Sequence, residues 1–296
     1  MKLSKGEKVV NVTIYTSLTI LAFVTLYPFW NTLVISFNDG LNTTLGGITF
    51  WPREFTTQNY KAVLNDVMFI KALTVTIGRT VIGTFLAMFF TSIYAYGLSK
   101  KYLKGKKIYM IISIITMYFS GGLIPLYLLV RSLGMIDSYA ALVVPSLVGV
   151  YNMIILRTFF MGIPEEIEES AKLDGCNHIR TFFSIILPVS GPAIATISLF
   201  TAVYFWNEWF NAGIYINSAA KLPIQNYLMN VMNSSNYAEQ MAKLTGGIGK
   251  FSVTTVTSRS LQAATIMVAT LPSLSICSKV FCKRSFGWFC KRLKFN

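Results

Sequence analysis

Between Met161 and Pro188 the chain reads MGIPEEIEESAKLDGCNHIRTFFSIILP, a charged island between two long apolar runs. Its acids crowd the front as Glu165, Glu166, Glu168, Glu169 and Asp174. Pro164 precedes them, where a helix start tolerates proline and where carboxylates favour the positive end of the helix dipole. Ala171 and Leu173 carry the helical reading onward, and Gly175 supplies the left-handed residue that stops it. Ile179, Phe182, Phe183 and Ile186 then recur at helical spacing until Pro188. The stretch therefore predicts helix, tight turn, helix, lying outside a bilayer between two membrane spans.

The rest of the chain supplies the spans. Of 296 residues, 53% are hydrophobic and 13% charged, with a mean hydropathy of +0.54, which is too apolar for a soluble globule. Six apolar runs reach the length needed to cross hydrocarbon: about 12–37, 69–98, 108–130, 139–160, 191–216 and 261–281. The expected fold class is all-α, a polytopic membrane protein of about six transmembrane helices with a helix-turn-helix loop at 161–188, forming one transmembrane domain over 1–296. Small residues in the second run (Gly78, Gly83, Ala87, Ser92, Ala95) suit close helix packing. The basic start is followed by a run too long for a signal-peptide core and reads as an uncleaved first span.

The net charge of +14 does not form one nucleic-acid stripe. Lys and Arg gather instead in short segments between spans: Lys2, Lys5 and Lys8; Lys100, Lys101, Lys104, Lys106 and Lys107; Arg157, Lys172 and Arg180; and the C-terminal cluster from Lys279 to Lys294. By the positive-inside bias both termini and the acidic island face the cytoplasm. The longer segments 38–68 and 217–258 then lie outside. They are read as polar loops that either meet an external partner or cap the bundle.

Glu169-Ser170-Ala171, Gly175, Ile185 and Leu187-Pro188 resemble the EAA loop of ABC-transporter permeases, with every spacing matched and Ser170 in place of an alanine. The resemblance covers roughly residues 10–272 and is nearest to the second permease of maltose-type carbohydrate importers. It implies that Glu169, Ser170, Ala171, Asp174, Gly175, Leu187 and Pro188 couple to ATPases. The implied partners are two cytoplasmic ATPase subunits, a second permease, an external sugar-binding protein and the lipid bilayer, with no nucleic acid. It also implies a multi-pass protein of the bacterial plasma membrane that moves a carbohydrate, an oligosaccharide, by alternating access.

No enzyme chemistry is expected. Gly246-Gly247-Ile248-Gly249-Lys250 lacks the earlier glycine and the following Ser or Thr of a phosphate loop, so any ATP is bound by partners and no cofactor by this chain. His178 is the single histidine, which rules out a histidine metal cluster or triad, and the Glu165–Glu169 run has no apolar pocket to raise a pKa. Two charges interrupt apolar runs. Arg79 either snorkels, pairs or faces a hydrated path; Glu208 sits in the aromatic run Tyr204-Phe205-Trp206-Asn207-Glu208-Trp209. Arg79, Trp206, Asn207 and Glu208 are therefore candidate substrate-path residues. The alternative class is a self-contained secondary transporter or channel.

The tail 273–296 departs from the resemblance after Leu271-Pro272, and three of the four cysteines (Cys277, Cys282, Cys290) fall there. The family ending implied by the resemblance is an aromatic-Pro-Phe turn followed by F-V-K-G. Permitted codons for Leu274 to Lys294, read one base later, yield such an ending and a stop. A frameshifted tail is therefore expected, and sequencing the gene across the Pro272 codon tests it: codons that cannot give F-V-K-G in a neighbouring frame end the idea.

Overall fold

The computed structural model describes residues 5–244 and 257–280. The helix α1 (Lys5–Ser36) is followed by the short α2 (Gly40–Thr44) and α3 (Gln58–Asn65), then by α4 (Val67–Ser99). α1 and α4 are each long and apolar enough to cross a membrane unaided, matching the first two expected spans.

The next spans are not the unbroken runs expected from the sequence. α5 (Lys106–Tyr118) and α6 (Leu123–Ser132) meet at 112°, so the run 108–130 is not one continuous helix. The break falls at Phe119-Ser120-Gly121-Gly122, where Gly122 takes φ +92°, ψ 169°, a conformation that a side chain disfavours. α7 (Ala140–Val143), with a 3-10 turn at Val144–Ser146, meets α8 (Val150–Met161) at 46°, dividing the fourth run likewise. α9 (Glu165–Leu173) and α10 (His178–Thr181) then form the acidic helix pair. A π-turn (Phe182–Ile186) and α11 (Leu187–Val189) lead at 83° into α12 (Gly191–Asn207). Pro188 lacks an N–H, which leaves the carbonyl four residues back without an α-type partner, and the wider turn lies just ahead of it.

The fifth run also breaks, because Glu208 is extended (ψ 115°) before α13 (Phe210–Tyr215). The segment 217–258, expected as a polar loop, holds a 21-residue helix, α14 (Ile224–Leu244). Buried Ile224 and Leu228 recur at helical spacing within its polar sequence. α15 (Ser258–Val280) covers the sixth expected run as far as Val280. By length and apolarity alone, two described helices qualify as spans, or up to five if each bent pair counts as one. Phe281 and the rest of the expected frameshifted tail lie outside the described residues, as does the Gly246–Lys250 segment.

The chain divides into two compact units, Met1–Ile70 with Leu228–Thr270, and Lys71–Tyr227 with Leu271–Asn296. In the first, the segment after α1 is a hydrogen-bonded cap rather than an open loop. Buried Asn38 accepts from the N–H groups of Arg53 and Glu54 at 2.8 and 3.2 Å and donates to Thr43 Oγ1 at 3.0 Å. Buried Asn59 donates to the carbonyls of Ser36 and Asn38, while its own oxygen accepts from Ser260 on α15 at 3.0 Å. Each amide satisfies backbone groups that hydrocarbon or protein interior would otherwise leave unpaired.

In the second unit α4, α8, the π-turn and α12 share an apolar core containing Ala95, Leu98, Met153, Leu156, Phe182, Ile186 and Ile197. Lipid tails are as apolar as these side chains, so close packing rather than escape from water holds them. Gly83 shows how close: a Cβ there would stand 3.0 Å from the Phe205 ring. Asp137 fixes the loop ahead of α7. Its carboxylate accepts from Ser218 Oγ at 2.7 Å, from the N–H groups of Asn217 and Ser218, and from Lys221 Nζ at 2.7 Å. The Lys221 hydrogen bond, followed by those from Ser218, holds that carboxyl well below the usual range.

Candidate functional site

α9 begins after Pro164, with Glu165, Glu166 and Glu168 in its first turn and Lys172 in its last, each end complementing the helix dipole. It ends in a paired-hydrogen-bond cap. Cys176 N–H donates to Ala171 O at 2.9 Å and Gly175 N–H to Lys172 O at 3.0 Å, with Gly175 at φ +76°. Asn177 then caps α10, its side-chain oxygen accepting from Arg180 N–H at 2.8 Å. The helix-turn-helix read from 161–188 is present.

Its candidate residues divide by exposure. Glu169, Ser170, Asp174, Gly175 and Pro188 are exposed, Leu187 is half-buried, and Ala171 is buried. The small residue thus seats the helix while the polar ones face outward. Sequence reading missed Leu173, which is 89% exposed, and Ile179, 69% exposed, weighing only as a packing residue. Both are large apolar side chains held in the open on or beside the acidic helix. The available signal was a leucine closing a helix whose every other exposed position is polar.

Two ion pairs tie α9 to the residues after α4. Lys100 pairs with Glu168, both side chains largely buried, and lies 3.9 Å from the Tyr96 ring centroid. Lys101 Nζ lies 2.6 Å from Glu165 Oε1, with both side chains well exposed. That hydrogen bond, more than the accompanying charge, lowers the Glu165 carboxyl and raises the Lys101 ammonium. Solvent screens the exposed pair, so the Lys100–Glu168 contact carries most of the attachment. His178, 3.4 Å from the Tyr102 hydroxyl, adds an exposed contact. Lys100→Glu is expected to favour local opening of α9 about tenfold, the weight of one charged hydrogen bond. Hydrogen exchange across 165–175 reads this, and exchanging the charges (Lys100→Glu with Glu168→Lys) restores protection; unchanged exchange in Lys100→Glu refutes it.

The second cluster lies where α12 breaks. Arg79 on α4 is 4% exposed and does not snorkel. Its Nη2 donates to the carbonyls of Phe205 and Glu208 at 2.5 and 2.7 Å and lies 3.2 Å from Glu208 Oε2. Glu208 Oε1 in turn accepts from Asn211 N–H at 2.6 Å. Arg79 therefore caps the end of α12 while Glu208 caps the start of α13. Phe205 and Trp206 are buried beside them, and of the four candidate path residues Asn207 alone is exposed. The structure joins Arg79 to Glu208, and it places Trp206 within the protein and Asn207 at the surface. Among the described residues no group of three or more His, Cys, Asp or Glu is placed to hold a metal ion.

The profile of binding-protein-dependent transport system inner membrane components matches residues 9–282. The chain belongs to that family. This permease is 39% identical over 271 residues to the polygalacturonan/rhamnogalacturonan transport system permease protein YtcP of Bacillus subtilis, covering 91% of this chain and 93% of YtcP. It is 39% identical over 254 residues to protein LplC of the same organism, covering 86% and 84% of the two chains. Among solved structures it superposes with a TM-score of 0.84 and 26% identity on a chain of a bacterial ABC transporter involved in importing the acidic polysaccharide alginate, covering 93% of this permease and 96% of that chain. The permease is thus an all-α, multi-pass protein of the plasma membrane. The resemblance carried by Glu169 to Pro188 pointed to the right family.

Proposed function

We propose that this permease forms one half of the path of a carbohydrate importer, moving an oligosaccharide by alternating access while partner subunits hydrolyse ATP. The carrying observation is α9 and α10 held by the Gly175 cap, with Glu169, Ser170, Leu173 and Asp174 presented outward. That surface is the contact for the ATPases. The Lys100–Glu168 tie links it to α4, so that a displacement of α9 reaches the pathway. A differential contact between ATPase and α9 in the two nucleotide states supplies the drive. The names of YtcP and the alginate importer support a saccharide cargo. The remaining parts of the assembly are a second permease and an external binding protein.

A self-contained secondary transporter needs ionisable groups free to load and release ions within the spans. Arg79 and Glu208 are committed to each other and to backbone groups, which favours the ATPase-driven reading. The test is uptake by the permease assembled with its neighbouring subunits in vesicles. Saccharide accumulation that requires ATP supports the reading; accumulation without ATP, driven by an ion gradient, replaces it.

Orientation has its own test. With both termini cytoplasmic, an impermeant thiol reagent added to intact cells is expected to label Asn42→Cys and Ser234→Cys and to leave Cys176 unmodified. Labelling of Cys176 from outside reverses the orientation drawn from the charge bias.

A further inference from the structure

We infer that the cavity where α4, α8 and α12 meet is a saccharide subsite of the transport path, one that holds a sugar by its ring face and hydroxyls. The inference rests on the carbohydrate reading above and places the contact away from Arg79 and Glu208. The cavity has a volume of about 440 Å³, and its polar and aromatic lining includes Thr91, Ser146, Tyr151, Asn152, Thr201 and Tyr204.

Depth is the first argument. Thr91 lies 8 residues before the end of α4 at Ser99, Asn152 9 before the end of α8 at Met161, and Thr201 10 after the start of α12 at Gly191. At 1.5 Å per residue these positions are roughly 12–15 Å inside one end of each helix. That is about half of a 30 Å hydrocarbon core. Polar side chains from three helices thus gather near the bilayer midplane, where they are expensive unless they face one another or a hydrated cavity.

They do face one another, but loosely. Asn152 Nδ2 donates to Thr201 Oγ1 at 3.3 Å, Ser146 Oγ and the Tyr204 hydroxyl are 3.2 Å apart, and Thr91 Oγ1 donates to Leu147 O at 3.2 Å. These long bonds leave the second Asn152 N–H, its carbonyl and the Tyr151 hydroxyl with capacity to spare. The break between α7 and α8 opens on the same cavity, with Gly149 in its wall. Irregular backbone at membrane depth is tolerated where it lines such a space.

The chemistry of the lining selects the ligand. Tyr151 is 63% and Tyr204 48% exposed, so both rings are available to the C–H face of a pyranose. Asn152 and Ser146 offer donors and acceptors for ring hydroxyls, and Thr201, whose hydroxyl donates to Ile197 O at 2.9 Å, offers an acceptor. No charged side chain lines the cavity, so a sugar is held here through its hydroxyls and ring face rather than by a counter-charge. A larger cavity, about 640 Å³ between α4 and the π-turn, is walled chiefly by Phe85, Met88, Phe89 and Phe183 and offers a sugar little to bond.

The test uses the assembled importer in vesicles with its binding protein, and tetragalacturonate, galactotetraose and maltotetraose as probes. Asn152→Leu and Thr201→Val keep shape while removing hydrogen-bonding capacity. Each is expected to lower uptake of whichever probe the wild type moves by about tenfold or more, as loss of a hydroxyl contact does. ATPase stimulation by the loaded binding protein is expected to remain, and Asn152→Gln to recover part of the uptake. Uptake within about twofold of wild type in both variants overturns the subsite while leaving the carbohydrate reading intact. Loss of the second permease on purification, with uptake and ATPase falling together, shows that the cavity seats a partner helix and also overturns it. A wild-type importer that moves none of the three probes overturns the carbohydrate reading and the subsite with it.

Discussion

Replacing Arg79 by Met is expected to destabilise the permease by about 3–5 kcal/mol, the usual cost of removing one partner from a buried ion pair. Glu208 would keep a carboxylate that is 90% buried without its counter-charge, and the carbonyls of Phe205 and Glu208 would lose their donor at the end of α12. Arg79→Lys is expected to recover only part of this, because the shorter lysine stem must bring its ammonium to the oxygens that Nη2 alone now meets. Glu208→Gln is expected to cost less, since an amide oxygen still accepts from Asn211 N–H. Combining Arg79→Met with Glu208→Gln is expected to be milder than the sum of the two. Thermal unfolding of the purified permease in detergent gives the order, and a midpoint for Arg79→Met equal to wild type rules out the lock.

Gly175→Val is expected to abolish most uptake while leaving the permease in the membrane. Gly175 sits at φ +76° with open space around the position a Cβ would take, so the penalty is backbone strain rather than a clash. A side chain in the left-handed region costs about 1–2 kcal/mol, more for a β-branched one. The strain falls on the two hydrogen bonds from Gly175 and Cys176 that fix α9 against α10. Glu169→Lys tests the same surface without strain, reversing an exposed charge on α9. Both variants are expected to lose ATP-driven uptake and saccharide-stimulated ATPase activity together, and normal transport by both removes the coupling role from this loop.

The helix-turn-helix was legible because its signals are local. Acids at a helix start behind a proline, and a glycine just past the helix end, act within a few residues of themselves. The first two spans were legible because α1 and α4 are apolar beyond the thickness of a bilayer. α14 was missed because asparagines and serines interrupt its apolar residues, so the polar character of the segment outweighed its period. The breaks at Gly122, Leu147–Gly149 and Glu208 were missed because apolar length was taken as continuity.

By itself, the sequence determined membrane class, helical content and the acidic island with its turn, since hydropathy and capping need only near neighbours. Tertiary structure decided that Arg79 meets Glu208, that Lys100 meets Glu168 and that Thr91, Asn152 and Thr201 line one cavity. Each of these pairs positions 49 or more residues apart, or on separate helices, and no local preference selects such a partner. A buried charge or amide must find its complement wherever the fold brings one, and in a span that requirement decides which distant residues meet.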